Sequence, residues 1–237
     1  MQRKLTVGET LSAAFSIYRD QAGVLLPVAF WLFLFAGIAE ELTLHFLALL
    51  WFGPLVSLTA GTLYQGMVVG LVKDLQDGRR DSSTGELMRA VAPVFWRLIG
   101  AGFLMALGIA GGLLLLVVPG LYLLTVWAVV APVIVIERRR VTDSLGRSRQ
   151  LVRDSGWPVF GTILIAFAIA AIASLALTQL ADALATGLPV RVVLGALAAT
   201  VTAPVGALVA SVLYFRLLEL KSDASASAAV ESPPVAS

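Results

Sequence analysis

From residue 98 to residue 136 the chain passes thirty-nine positions without an Asp, Glu, Lys or Arg, and six arginines then fall within the sixteen positions after Glu137. A helix in water needs a polar face, and this run offers none. A bilayer needs only ~20 apolar residues per crossing. A charge near the bilayer centre costs ~3 kcal/mol or more, whereas an Arg beside anionic head groups gains ~1 kcal/mol. Glu137 therefore marks a membrane exit, and the run behind it is a hairpin of two crossings. Pro119 and Gly120 are the expected turn, with Gly120 at positive φ, giving span three at 98–118 and span four at 121–137. Pro132 has no N–H to donate, so span four is expected to open near Ala128 unless another group takes up the freed carbonyl.

The rest of the chain agrees. Hydrophobic residues make up 59% and charged residues 14%, against about a quarter charged in soluble domains. Charge-free stretches place span one at 22–39, span two at 54–73, span five at 158–181 and span six at 192–215. The run between Glu41 and Lys73 is too long for one crossing; it is divided at Gly53 and Pro54, leaving 42–52 as an interfacial piece with Trp51 in the aromatic belt. Pro204 predicts a kink in span six. MQRK opens directly onto an amphipathic stretch without a cleavage site, so the first span is expected to be retained. Residues 222–237, rich in Ser, Ala and Pro, read as a disordered cytoplasmic tail.

Three stretches are amphipathic and begin alike. Thr6 and Glu9, and again Ser83 and Glu86, have capping-box spacing. Glu86, Met88 and Ala90 overlie Glu9, Leu11 and Ala13, and Asp143, Leu145 and Arg153 take the places of Glu9, Leu11 and Arg19 in a third copy. Interfacial helices are expected at about 7–20, 84–96 and 141–155. The register suggests three repeats, each an interfacial helix followed by two spans. The other reading is that any helix entering a membrane interface acquires this pattern. The fold class is all-α: a polytopic membrane bundle of six spans.

With six spans, sixteen of the seventeen basic residues fall on one side and only Arg191 on the other. The positive-inside rule makes that side cytoplasmic and puts both termini there, in the cytoplasmic (inner) membrane. Basic residues that flank apolar spans point to anionic lipid as the partner, with another membrane protein or a second copy as further candidates, and not to nucleic acid. Gly66 and Gly70, and Gly108 and Gly112, are small-xxx-small pairs that admit close helix approach, most simply within one chain.

One resemblance is carried by residues in order: Val7-Gly8-Glu9, Phe15 and Tyr18-Arg19; Pro119-Gly120, Trp127, Pro132 and Glu137; then Ser144-Leu145-Gly146-Arg147-Ser148 and Leu151. The chain resembles the membrane domain of glycerophosphoryl diester phosphodiesterase-type proteins and their stand-alone bacterial relatives. The resemblance implies a multi-helix membrane fold. In such proteins the phosphodiesterase activity belongs to a separate soluble barrel that uses histidines and metal-binding carboxylates, and these 237 residues contain one histidine.

No catalytic, cofactor or metal site is expected. There is no cysteine, no phosphate-binding glycine loop and no nucleophile elbow. His45 reads as a solvated loop residue more readily than as a proton or metal site. Tyr64, Gln65, Gln179, Thr200 and Thr202 are the polar groups within spans, and they either line a pathway or bond to a neighbouring helix. Two function classes remain: a non-catalytic lipid-associated accessory or scaffold protein, or else a small transporter or export permease. The residues singled out are Arg149 and Arg153 for head groups, and Gly120, Pro132, Glu137 and Arg147 for structure. Glu137 is expected to pair with Arg138, Arg140 or Arg147, and Asp143 with Arg147 across the wet side of a helix lying on the leaflet.

Overall fold

The computed structural model describes residues 5–45, 50–79, 83–184 and 187–231. Among these the regular elements are all helical. They are α1 (Val7–Asp20), α2 (Ala22–His45), α3 (Phe52–Gln76), α4 (Thr84–Val91), α5 (Phe95–Leu115), α6 (Val117–Val126), α7 (Val130–Glu137), α8 (Val141–Val152), α9 (Gly156–Leu184) and α10 (Leu188–Glu231). Among the described residues, six helical segments are long and apolar enough to cross a membrane, with α6 and α7 together forming the fourth. The chain is an all-α, multi-pass integral membrane protein.

Each span helix starts within four residues of its expected position, and four features differ from expectation. Residues 42–45 continue α2 and α3 starts at Phe52, so an interfacial piece over 42–52 is not a separate element; positions 46–49 of it lie outside the described residues. Gly53 allows this tight hairpin, because a Cβ there would sit 2.8 Å from the Cα of Glu40, and its N–H donates to the Thr43 hydroxyl at 2.8 Å. The second interfacial helix stops at Val91 and passes through a 3-10 turn, Ala92–Val94, straight into α5. Position 222 is not a helix boundary, since α10 continues to Glu231. A helix already propagating needs no new nucleus, and Ala is the best helix former, so an Ala-Ser segment prolongs it at little cost. Positions 232–237 lie outside the described residues.

The fourth difference concerns the middle hairpin. The chain turns at Leu116, in extended conformation (φ −162°, ψ 139°), and not at Pro119-Gly120. Pro119 sits in the first turn of α6, where no backbone donor is required. Gly120 is helical and has no positive φ; Gly78 is the only described glycine that does. Its role is close approach: a Cβ on Gly120 would lie 2.8 Å from the backbone nitrogen of Leu113, and one on Gly112 would lie 2.9 Å from the Gly120 Cα. Gly108 likewise faces the Trp127 ring, and Gly66 faces Leu98 and Val91. Both small-residue pairs are used within the chain.

The six spans form a ring in chain order: α2 beside α3, α3 beside α5, α5 beside α6, α6 beside α9, α9 beside α10, and α10 back beside α2. α7 turns inward from α6 and packs between α3 and α10. Val69, Val72, Val133, Ile134, Leu208 and Leu213 are fully buried there, and they close the half of the bundle nearest the arginines. Burial of an aliphatic side chain of this kind stabilises by roughly 1.5–3 kcal/mol when the alternative is water, and by packing alone when it is lipid.

The three short amphipathic helices sit against the ends of this ring. α4 packs on α3, α8 on α7, and α1 on α10. Ser83 and Glu86 complete the expected capping box, by bonds of 3.3 and 3.0 Å. Thr6 makes no side-chain cap; Glu9 instead faces Arg216 of α10, 3.1 Å away. The inner face of α8 is Ser144, Ser148, Leu151 and Val152, all buried against the bundle. α8 therefore spends its apolar side on protein, and the expected helix lying on the leaflet is corrected to one docked on its own spans.

Candidate functional site

Span four ends at Glu137, and the chain then folds back over that end. Arg138 adopts a left-handed conformation (φ 54°, ψ 30°), the only described non-glycine residue to do so, and reverses the chain towards α8. Its carbonyl accepts a 2.8 Å bond from Arg97 at the start of α5, which holds the turn. Glu137 is thereby set among three donors. Arg139 Nε lies 2.6 Å from Oε2, while Arg147 Nε and the Tyr214 hydroxyl each lie 3.2 Å from Oε1.

Of the expected partners, Arg147 is present; Arg138 and Arg140 are replaced by Arg139 and Tyr214. Arg147 consequently does not pair with Asp143. Its side chain is only 29% exposed and turns inward, because a carboxylate removed from water at a span end attracts the nearest guanidinium more strongly than an exposed Asp does. Tyr214 was missed because a tyrosine in an apolar span reads as core. Its hydroxyl end is the informative part.

The break ahead of Pro132 bares the carbonyl on which α8 docks. The chain leaves helix at Trp127, Ala128 and Val129, as expected near Ala128, and resumes at Val130. Val130 N–H bonds to the Trp127 carbonyl, so the Val126 carbonyl loses its usual i+4 donor. The buried Ser148 hydroxyl supplies the replacement, donating to it at 2.7 Å. Two further hydroxyls bond carbonyls just before a proline: Tyr18 to Val201, ahead of Pro204, at 3.2 Å, and Tyr64 to Leu25, ahead of Pro27, at 3.4 Å. α10 stays helical through Pro204.

Arg149 lies on the outer face of α8 and Arg153 caps its C-terminal end, both exposed; the charge of Arg153 acts on the neighbouring Asp154. Asp154 beside them bonds Lys221 of α10, which with the charge of that lysine holds its carboxyl below the usual range. Docked by Ser148 and Arg147 on one side, α8 presents Arg149 and Arg153 from a fixed surface on the other.

Deeper in the bundle, above α7, lies a cavity of about 770 Å3. Every span contributes to its wall, among them Phe33, Gln65, Met105, Trp127, Ala166 and Ala203. Among the described residues, no charged one lines it. The outward step from α7 to α6 makes room for it, and Trp127 and Ala128 of the break form part of the wall. No family model, curated protein or solved structure matches the chain.

The polar groups within the spans divide clearly. Thr62, Thr200 and Thr202 donate to carbonyls four residues back in their own helices, at 2.6, 2.7 and 3.0 Å, and Tyr64 is bonded to Leu25. Gln179 is exposed and does not face the cavity. Gln65 does, and no described group bonds its amide. The side chain of His45 lies outside the described residues, and among the described residues no cluster of three or more His, Asp or Glu could hold a metal.

Proposed function

We propose that the protein is a non-catalytic, lipid-associated accessory or scaffold protein of the cytoplasmic membrane, with both termini inside. The observation that carries this reading is the fixed presentation of Arg149 and Arg153. Their helix is pinned to span four by the Ser148–Val126 and Arg147–Glu137 contacts, so the backbone that carries the two guanidiniums need not be ordered when they meet phosphate head groups. Anionic lipid is the proposed partner, at ~1 kcal/mol per basic residue near the surface. A second membrane protein or a second copy is a further proposed partner, and nucleic acid is not.

Three supports are indirect. Glu137, Arg147 and Ser148, three of the residues on which the resemblance to the membrane domain of glycerophosphoryl diester phosphodiesterase-type proteins rests, all serve one docking joint. A threefold repeat is supported by the way each short helix packs on the last span of the unit before it, α4 on α3, α8 on α7, and α1 on α10. The sixteen-to-one partition of basic residues supports the orientation.

The alternative is a small transporter, favoured by the cavity that all six spans line. Against it stands the packed half around Val69, Val133 and Leu213, which leaves that cavity closed towards the arginine-rich end. Thermal unfolding in detergent, with and without added phosphatidylglycerol, tests the accessory reading. The parent should gain several degrees, and Arg149→Gln with Arg153→Gln should lose most of the gain while keeping the melting temperature without lipid. An identical gain in parent and double variant would refute it.

A further inference from the structure

The cavity calls for an occupant that the arginine-rich end does not explain. Its volume of about 770 Å3 lies within the ~300–1,000 Å3 typical of sites that enclose a small ligand. Among the described residues its wall holds no charge, and it is largely alanine and other aliphatic surface, as at Ala101, Ala131, Ala170 and Ala203. Phe167 belongs to this wall and is also 68% exposed, and the exposed Ala171 lies one turn further along α9. The mouth is therefore on the outer side of α9, at a depth where the surrounding solvent of a six-span protein is hydrocarbon. Towards the arginines the floor is sealed by α7. Thr62, Tyr64 and Thr202 have their hydroxyls engaged, and the Gln65 amide is a neutral group left to bond.

We propose that the cavity is a binding site for one hydrocarbon chain of a membrane amphiphile, which enters sideways from the bilayer past Phe167. Such a chain supplies the methylene surface that the wall lacks a partner for. Charged head groups stay outside, because nothing in the wall compensates a charge. The proposal is independent of the head-group reading, and a bilayer without anionic lipid tests it alone.

Trp127 lines the cavity, whereas Trp31, Trp51, Trp96 and Trp157 are all exposed on the outside. A variant with those four changed to Phe reports from the cavity. In vesicles of phosphatidylcholine brominated at mid-chain, its emission should fall roughly twofold against unbrominated vesicles, since a chain in such a site is enclosed by the wall. Ala170→Phe and Ala203→Phe, on different helices, fill the space and should restore most of the emission. Unquenched Trp127, or equal quenching in filled variants that fold, overturns the proposal. A second measurement needs no variant: native mass spectrometry of the parent, extracted from phosphatidylcholine vesicles, should show one retained chain-bearing molecule, and a spectrum of bare protein alone overturns it too.

Discussion

The Ser148 hydroxyl donates to the Val126 carbonyl across 2.7 Å, and so an amphipathic helix satisfies the backbone where span four breaks. The acceptor sits where α6 stops, and the donor sits in the middle of α8. Ser148→Ala leaves a buried carbonyl without a donor, which costs ~1–3 kcal/mol. The melting temperature in detergent should fall accordingly, and hydrogen exchange should rise across both 126–130 and 141–152. If Ser148→Ala matches the parent in both measurements, the bond does not hold α8.

Much of this fold was legible from sequence, for reasons that differ by residue. Span limits follow from charge, because a bilayer tolerates so little of it that Glu137 and the arginines after it cannot be misplaced by more than a residue or two. Pro132 was legible because a missing N–H is a local fact. The turn was not: Pro119 in the first turn of a helix and Pro119 in a reverse turn leave the same trace, and only the crossing of Gly120 against Leu113 separates them. Helical projection put Arg147 on the wet side because projection ranks polarity and is blind to a carboxylate on another helix. Ser148 as a donor was invisible, since its acceptor is backbone. The cavity was invisible too, as each of its wall residues reads as ordinary span.

Glu137 gathers α7, α8 and α10 through Arg147 and Tyr214, and its side chain is 16% exposed. Glu137→Gln removes the charge while keeping the shape. Hydrogen bonds to charged groups contribute ~1.5–3 kcal/mol, and partial exposure brings the expected loss to about 1–2 kcal/mol. Tyr214→Phe should cost less, ~0.5–1.5 kcal/mol, because Glu137 retains its arginines. The double variant should lose less than the sum, as both changes act on one contact. Strict additivity in thermal unfolding would mean that Tyr214 and Glu137 do not interact.

Orientation can be read on a clean background, because the sequence contains no cysteine. Leu50→Cys and Leu188→Cys, both at exposed positions on the side that carries only Arg191, should react with an impermeant thiol reagent applied to intact cells. Asp77→Cys, beside the basic segments, should react only after the membrane is opened. Labelling of Asp77→Cys alone in intact cells would invert the topology.

The middle hairpin offers a test with its own control. Gly112 and Gly120 cross so closely that a methyl on either meets backbone: the Gly112 Cβ would stand 2.9 Å from the Gly120 nitrogen, and the Gly120 Cβ 2.8 Å from the Leu113 nitrogen. Gly111, one residue away, has nothing within 4 Å. Gly112→Ala and Gly120→Ala must push α5 from α6, and overpacking of this kind costs ~1–3 kcal/mol. Gly111→Ala meets no neighbour and gains helix propensity, up to about 1 kcal/mol. Thermal unfolding of the three variants should therefore give two losses and one small gain. The same experiment separates the two explanations for Gly120. A requirement for positive φ would penalise Gly120→Ala and leave Gly112→Ala harmless, whereas a close crossing penalises both. Equal stability of Gly111→Ala and Gly112→Ala would show that the helices do not cross there.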